Sequence, residues 1–269
     1  MGSLRLGISP CPNDVYIFSG ILLGRVSTGE LRFEVDYEDV ETLNTAAQQG
    51  TYDVVKISYA NYIRCQQHYV LMDTGGALGY GCGPLLLAKG ESLQENQEIL
   101  IPGAFTTANF LLDFYLQHSV PKRALSFEKL YEHLCEHKGA QGVVIHEKRF
   151  TYEHDGLTKI ADLGEHWERE TGMPIPLGAI ALHRDLINIQ PAIEAHIRQS
   201  LTWAQENDAE AFALCQQYAQ DLTPEVIRAH IALYVNDFSR DVGEKGRAAV
   251  EYFLQSQHQF LEKADNSEK

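Results

Sequence analysis

Two prolines follow directly on an apolar run in the segment Leu4-Arg5-Leu6-Gly7-Ile8-Ser9-Pro10-Cys11-Pro12-Asn13-Asp14. The apolar run predicts a short strand, and each proline fixes its own φ at about −65° and restricts the residue before it. The chain therefore leaves this strand through one rigid loop, with Cys11 at its crest. Loops at the carboxyl ends of strands in open α/β sheets commonly bind ligands. The alternative is a structural turn in which Asn13 or Asp14 caps a helix that begins at Val15.

The composition is that of a globular chain with an acidic surface. Of the 269 residues, 44% are hydrophobic and 22% are charged, and the formal net charge is −15. This balance argues against nucleic acid as a partner, because nucleic-acid binding needs clustered Lys and Arg. It also means that a site for an anionic substrate has to be built locally, from backbone N–H groups or a few side chains.

Several sequence patterns are missing, and each absence narrows the expected class of protein. No run approaches the roughly 18 apolar residues of a membrane span, and the amino terminus does not resemble a secretory signal peptide. The five cysteines form no CxxC pair, so we expect a reduced, cytoplasmic chain without a metal. Neither a GxxxxGKS-type phosphate loop nor a helix-opening GxGxxG occurs, so we expect no nucleotide cofactor.

Strands alternate with helices twice along the chain, and the region beyond Asn188 is predicted to be helical. The predicted strands are 4–9, 31–37, 52–57, 70–73, 84–88, 98–101, 141–145, 157–160 and 177–182. This alternation implies βαβ units, mainly parallel sheets, and two α/β lobes with the ligand cleft between them. We place lobe 1 at residues 1–88 plus 180–269, including the carboxyl-terminal helices, and lobe 2 at 89–179.

A glycine-rich stretch and a proline pair interrupt this pattern. Five glycines fall within residues 75–83, which predicts irregular structure there. That stretch is either a mobile connection or a place where the backbone approaches a ligand. Pro174 and Pro176 are expected to break the chain before the strand at 177.

Two strand-to-helix junctions, one in each predicted lobe, are expected to face the cleft. Lys56-Ile57-Ser58 precedes one helix, and Thr106-Thr107-Ala108-Asn109 opens the other. A helix amino terminus offers unpaired N–H groups and about half a positive charge, and hydroxyls add further donors. The two junctions therefore predict a clamp for a carboxylate. The alternative is that Ser58 and Thr106 are only N-caps.

His146 has the most informative context among the histidines. It follows the apolar run Gly142-Val143-Val144-Ile145, so we expect it at the carboxyl end of a buried strand. An imidazole with a pKa of about 6.5 is largely neutral at cytosolic pH, which makes His146 the candidate general base. His146-Glu147 begins like the zinc motif HExxH, but Phe150 replaces the second histidine and disfavours metal hydrolysis. The alternative is a structural histidine.

Eight blocks of sequence, taken in order, resemble a single enzyme family. They are 9–14, 38–44, 56–60, 75–79, 102–103 with 106–108, 145–147 with 149–152, 177–180, and 234–236 with 238–239. Over nearly its whole length the chain resembles the 1,4-dihydroxy-6-naphthoate synthase family of the futalosine route to menaquinone. It departs from the expected pattern at Val15, where we expect Thr.

The resemblance implies a type II periplasmic-binding-protein-like fold used inside the cell as an enzyme. It implies a lyase that converts cyclic dehypoxanthinylfutalosine to 1,4-dihydroxy-6-naphthoate and dihydroxyacetone, without a cofactor. It also implies His146 as the proton acceptor. The implied substrate-binding residues are Lys56, Ile57, Ser58, Thr107, Ala108 and Asn44.

Three alternatives stay open at the level of sequence. The first is a non-catalytic protein of the same fold that binds a small carboxylate. The second is chorismate dehydratase, the sister enzyme, which lacks the Ser9–Asp14 block. The third is a thiol catalyst that uses Cys11. The sequence makes no prediction about the oligomeric state.

Overall fold

Residues 3–267 are described by a computed structural model, with side chains described as far as residue 262. The chain forms two mixed β-sheets surrounded by helices, a two-lobed α/β arrangement. No helix in this part of the chain is both long and apolar enough to cross a membrane.

The first sheet has six strands in the order β2-β1-β3-β11-β4, with β5 paired to β11. Its strands are β1 (Ser3–Ile8), β2 (Arg32–Tyr37), β3 (Val54–Ser58), β4 (Tyr69–Leu71), β5 (Ala77–Gly79) and β11 (Ile175–His183). Strand β1 runs parallel to β2 and β3, whereas β11 runs antiparallel to β3, β4 and β5.

The second sheet has five strands in the order β10-β6-β9-β7-β8. Its strands are β6 (Leu85–Ala88), β7 (Ile99–Ile101), β8 (Lys122–Ala124), β9 (Gln141–Val144) and β10 (Thr158–Asp162). Strand β7 is parallel to β8 and β9, but β6 is antiparallel to β9 and β10. The prediction of mainly parallel sheets is therefore wrong for both sheets. The antiparallel pairs arise from the two strands, β6 and β11, that begin where the chain crosses between the sheets.

Sheet membership shows where the chain changes lobe. Strand β6 pairs only within the second sheet, although the predicted first lobe extends to residue 88. Strand β11 pairs within the first sheet from Ile175 onward, although the predicted second lobe extends to residue 179. The chain thus passes between the sheets a few residues before each predicted boundary, and the lobe boundaries themselves stay a prediction.

The helices cover the sheets and fill the carboxyl-terminal third. They are α1 (Pro12–Leu22), α2 (Val40–Gln48), α3 (Tyr62–Cys65), α4 (Thr107–Leu116), α5 (Phe127–Glu136), α6 (Leu163–Thr171), α7 (Gln190–Glu206), α8 (Asp208–Tyr218), α9 (Pro224–Tyr234), α10 (Asp237–Arg240) and α11 (Gly243–Ser267). Helices α7, α8 and α9 pack on α1. Helix α11 contacts both lobes. Its Gln257 Nε2 donates to the Ala60 carbonyl of the first lobe at 2.8 Å, and its Phe253 packs 4.7 Å from Phe110 and 5.5 Å from Trp167 of the second lobe between ring centroids.

Helix α1 begins three residues earlier than predicted. Cys11 is its N-cap residue and makes no side-chain capping bond, and Pro12 is the first helical residue. Proline suits this position because its fixed φ is already helical and its missing N–H needs no partner. Asn13 and Asp14 consequently lie inside the first turn, so the prediction that one of them caps the helix is wrong. Their side chains are free to make other contacts.

The glycine-rich stretch is more regular than predicted. Residues 77–79 form β5, which pairs with β11 through Ile175, Pro176 and Gly178. A Cβ on Gly76 would lie 2.9 Å from the carbonyl oxygen of Gly178, so glycine permits the close approach of the two segments. The predicted chain break at Pro176 is also wrong, because a register shift between Pro176 and Gly178 lets β11 continue.

Candidate active site

A cavity of about 100 Å³ lies between the two sheets. Its walls come from both lobes, at the ends of β1, β3 and β9, the start of α4 and one side of α9. The lining residues are Ser9, Asn13, Asp14, Val40, Lys56, Ser58, Ala77, Cys82, Pro84, Thr106, Thr107, Ala108, Ile145, His146, Leu177, Gly178, His230 and Tyr234.

The structure brings together five of the seven residues predicted for the site. Those that line the cavity are Lys56, Ser58, Thr107, Ala108 and His146. Ile57 is fully buried in the hydrophobic core instead, as expected for the residue between two cavity-facing positions of one strand. Asn44 is also fully buried and lies behind Ser58. The functional roles of all seven stay predictions.

Asn44 fixes the orientation of Ser58. Its Oδ1 accepts the Ser58 backbone N–H at 2.8 Å, and its Nδ2 donates to Ser58 Oγ at 3.1 Å. Ser58 makes no capping bond of its own. Because the Ser58 oxygen is already an acceptor, its O–H hydrogen is left to donate into the cavity. The capping alternative for Ser58 is therefore wrong.

The start of α4 presents backbone donors to the same cavity. Thr106 is its N-cap, with Oγ1 accepting the Asn109 N–H at 3.2 Å. The Thr107 hydroxyl is occupied, since it donates to the Leu177 carbonyl at 2.9 Å and accepts the Ala60 N–H at 3.3 Å. Thr107 and Ala108 open the helix, so their N–H groups have no intrahelical acceptor. The amino terminus of α4 thus offers N–H groups, rather than the Thr107 hydroxyl, to an anion.

Lys56 does not supply a free positive charge. Its Nζ lies 2.5 Å from Asp14 Oδ1, and the two side chains are only 7% and 1% exposed. Asp14 also accepts from Asn13 Nδ2 at 2.8 Å and from Ser9 Oγ at 2.7 Å. The carboxylate therefore neutralises the ammonium group inside the wall. Gly178 makes room for the lysine, because a Cβ there would lie 2.8 Å from Lys56 Cε.

His146 sits in an unusual backbone conformation where β9 ends. Its φ is +57°, in the left-handed region that non-glycine residues seldom adopt. Such a conformation costs on the order of 1–3 kcal/mol and is often found at functional sites. It places His146 Nδ1 3.6 Å from Cys11 Sγ, at the crest of the loop after β1. The half-buried imidazole therefore bridges the two lobes.

The surroundings of His146 raise its pKa to about 9. Burial alone would lower this pKa, but the Cys11 sulfur, Glu147 and Asp14 together outweigh it. A group with this pKa carries a proton at neutral pH. His146 is therefore an imidazolium at neutral pH, with Cys11 Sγ 3.6 Å from its Nδ1.

His230, which the sequence analysis did not select, is the second histidine of the cavity. It lies on α9, is 1% exposed, and stacks on His146 at 6.4 Å between centroids and 13° between planes. Its Nε2 is 3.0 Å from Asn13 Oδ1, and its Nδ1 has no partner in the described part of the chain. Asn13 donates its Nδ2 to Asp14, so its oxygen faces His230 and Nε2 must carry the proton.

The two stacked histidines differ in charge state. Burial, helped by the positive charges of His146 and Lys56, lowers the pKa of His230 well below its ordinary value. His230 is therefore neutral over the range in which His146 is protonated. Paired groups whose pKa values are pushed apart are characteristic of acid–base sites.

The glycine-rich stretch and α9 complete the cavity wall with Ala77, Cys82 and Tyr234. Burial raises the pKa of Cys82 to about 12, so it remains a thiol. Within the described residues, no group of three or more His, Cys, Asp or Glu side chains is placed to hold a metal ion. The polar chemistry of the cavity therefore consists of N–H groups, hydroxyls, one ion pair and two histidines.

Comparison with known sequences assigns the chain to a family. A family profile described as menaquinone biosynthesis matches residues 4–259. A Thermus thermophilus protein named 1,4-dihydroxy-6-naphtoate synthase is 43% identical over 252 residues, which cover 93% of this chain and 92% of that protein. This chain belongs to the menaquinone-biosynthesis family. A Streptomyces coelicolor member with the same name is 36% identical over 263 residues, covering 94% and 92% of the two chains.

Membership of the menaquinone-biosynthesis family confirms the resemblance found in the sequence and the prediction of an enzyme. Solved structures confirm the fold class. A protein from Archaeoglobus fulgidus superposes with a TM-score of 0.89 at 29% identity, covering 98% of both chains. The alkanesulfonate-binding protein of Xanthomonas axonopodis pv. citri, bound to MOPS, gives 0.67 at 14% identity over 87% of this chain and 84% of that one. A Candida albicans protein described as having the generic periplasmic binding protein fold gives 0.67 at 12% identity, covering 96% and 90%.

Proposed function

We propose that this protein converts cyclic dehypoxanthinylfutalosine to 1,4-dihydroxy-6-naphthoate and dihydroxyacetone in the cytoplasm, with His146 as the proton acceptor. The observation that carries the proposal is a cavity between the two sheets that has hydrogen-bond donors for an anion on one wall and two histidines on another. The names of the Thermus and Streptomyces relatives supply the product.

The substrate carboxylate binds where neutral donors converge. The Ser58 hydroxyl and the N–H groups of Thr107 and Ala108 come from opposite lobes and line the same cavity. With a net charge of −15 on the protein, such local donors take the place of long-range attraction. Asn44 acts through Ser58, and Lys56 contributes its stem and its ion pair with Asp14 to the wall.

His146 removes a proton from the sugar-derived portion of the substrate. Loss of that proton drives bond cleavage, and formation of the aromatic ring supplies the driving force. His146 acts as the base in its neutral form, with its Nδ1 3.6 Å from Cys11 Sγ. A positioned general base contributes about 10²–10⁴-fold to the rate. Cys11 is not among the residues that line the cavity, which favours a role toward His146 over attack on the substrate.

Incubation of the purified protein with cyclic dehypoxanthinylfutalosine tests the proposal. We expect the naphthoate chromophore to appear together with one equivalent of dihydroxyacetone, both measured by liquid chromatography and mass spectrometry. Tight binding of the substrate without any product would instead indicate a carboxylate-binding protein of the same fold.

The His146→Asn variant tests the assignment of the base. We expect turnover to fall by about 10²–10⁴-fold while substrate affinity, measured by calorimetry, stays near the wild-type value. His154→Asn is the matched control, because His154 is exposed in the same lobe. Wild-type turnover in a folded His146→Asn protein would eliminate His146 as the base.

A further inference from the structure

Glu41 is a charged side chain that reaches from the first lobe to the second. It lies in the first turn of α2, whose N-cap bonds are already made by Asp39. Its Oε1 and Oε2 accept the backbone N–H of Phe105 at 3.1 and 3.3 Å, across to the loop between β7 and α4. Helix α2 does not need these contacts to begin, because Asp39 already caps it. The contacts of Glu41 with Phe105 are therefore not explained by the local structure of α2.

The loop on the opposite lobe is shaped to receive this carboxylate. A Cβ on Gly103 would lie 2.4 Å from Glu41 Cδ and 2.5 Å from Oε2, distances that atoms do not tolerate. The loop can therefore accept the Glu41 carboxylate in this position only because residue 103 is glycine. A carboxylate inserted against bare backbone, with an N–H donor at its end, is a built contact between lobes.

The same carboxylate is linked to the anion site through Asn44. Asn44 Nδ2 lies 3.2 Å from Glu41 Oε2, 3.1 Å from Ser58 Oγ and 3.4 Å from the Phe105 carbonyl oxygen. Phe105 is followed by Thr106, the N-cap of α4. Glu41 is thus linked to both halves of the candidate carboxylate site, through Asn44 and Phe105, without lining the cavity itself.

Burial gives Glu41 a further signature. It raises the pKa of the Glu41 carboxyl group, and the nearby charge of Asp39 raises it further. Hydrogen bonds from the Phe105 N–H, the Asn44 amide and the Ala104 N–H oppose this rise. A surface glutamate of α2 with no role between the lobes would stay hydrated. This carboxylate gives up water for donors that come largely from the other lobe.

We propose that Glu41 is a positioning residue that docks the loop of Gly103 and Phe105 onto α2, so that Ser58, Thr107 and Ala108 converge on one substrate carboxylate. This inference rests on the proposed function for the identity of the ligand, but not for the contact itself. Loss of Glu41 is expected to weaken substrate binding and leave the chemical step at His146 largely intact.

Steady-state kinetics of Glu41→Ala and Glu41→Gln test the role. Loss of a hydrogen bond to a charged group corresponds to about a tenfold to hundredfold rise in KM, and we expect kcat to change less than about threefold. Glu41→Gln keeps one acceptor oxygen and the same size, so we expect it to recover part of the lost affinity. Glu38→Ala, an exposed position just before α2, is the control. Unchanged KM in Glu41→Ala would overturn the proposal.

Gly103→Ala gives an independent test through non-additivity. The added methyl group collides with the Glu41 carboxylate, so Gly103→Ala alone is expected to raise KM about as much as Glu41→Ala. In the double variant the collision partner is absent, and we expect no further rise beyond Glu41→Ala. Fully additive effects would overturn the proposal, because they would show that the two positions do not meet.

Small-angle X-ray scattering separates this inference from the proposed function. Without any ligand, we expect Glu41→Ala and Gly103→Ala each to have a larger radius of gyration than the wild type and Glu38→Ala. A wild type that forms no naphthoate would refute the proposed function but not the docking contact, provided that this difference is seen. Equal radii for all four proteins would refute the docking contact.

Discussion

The two functional walls of the cavity are built by different means. The anion wall (Ser58, Thr107 and Ala108) uses neutral donors that follow directly from local structure, a strand end and a helix start. The histidine wall (His146 and His230) joins side chains from distant parts of the chain, and Cys11 contacts His146 without lining the cavity. Under the proposed function the first wall binds the substrate and the second moves a proton, so changes to one should leave the function of the other largely intact.

The histidine wall makes the larger prediction, on the pH dependence of kcat/KM. His146 must be neutral to accept a proton, and its pKa of about 9 means that kcat/KM should rise with pH up to that value. Cys11→Ala removes the strongest of the influences that raise this pKa. We expect the acidic limb of the profile to move down toward about pH 6.5, the value of an unperturbed imidazole.

Cys135→Ala controls for the loss of a thiol, because Cys135 lies half-buried on α5, outside the cavity. If the acidic limb lies at the same pH in Cys11→Ala and in the wild type, Cys11 does not influence the charge state of His146. Complete inactivity of a folded Cys11→Ala protein at every pH would point to the thiol catalyst instead.

The anion wall makes a smaller prediction, on binding alone. Ser58→Ala removes one hydroxyl donor and leaves the Asn44 amide without its hydroxyl acceptor. We expect KM to rise by about tenfold or more, as for a lost hydrogen bond to a charged group, with kcat and the pH profile unchanged. Ser27→Ala, at an exposed position of the first lobe, is the control. A fall in kcat with constant KM would place Ser58 with the proton chemistry and erase the contrast between the walls.

Sequence reasoning recovered the anion wall because its signals are local. Apolar runs mark β3, β7 and β9, and residues at or after the ends of these strands, among them Ser58, Thr106 and His146, line the cavity. The Thr106 N-cap, which the sequence offered as an alternative, is present in the structure. At the start of α1, two rules predict different first residues. Capping by Asn13 or Asp14 predicts a start at Val15, whereas the fixed φ of Pro12 favours a start at Pro12, and the helix begins at Pro12.

Residues whose roles depend on remote partners left no local signal. His230 pairs with Asn13 across 217 positions, and Glu41 meets Phe105 across 64. In the sequence His230 is one apolar-face position of an amphipathic helix, and Glu41 is one of many acidic residues. Only the packing of the two lobes brings Glu41 to Phe105, and only the packing of α9 brings His230 to the cavity, so no pattern within a single element identifies them.

The smallest prediction concerns the neutral partner in the histidine wall. The pKa of His230 is lowered in the folded protein, so below about pH 6.5 the unfolded chain binds a proton that the folded one does not. The free energy of unfolding should therefore fall by about 1 kcal/mol between pH 6.5 and 5.5 on account of this residue.

The His230→Gln variant isolates that contribution, because a glutamine amide can still donate to Asn13 but does not titrate. Urea denaturation at the two pH values should show a weaker loss of stability in this variant than in the wild type. His137→Gln, at an exposed position of the second lobe, should keep the wild-type dependence. Parallel curves for wild type and His230→Gln would mean that His230 takes up its proton in the folded state, and the histidine wall would then hold two positive charges instead of one.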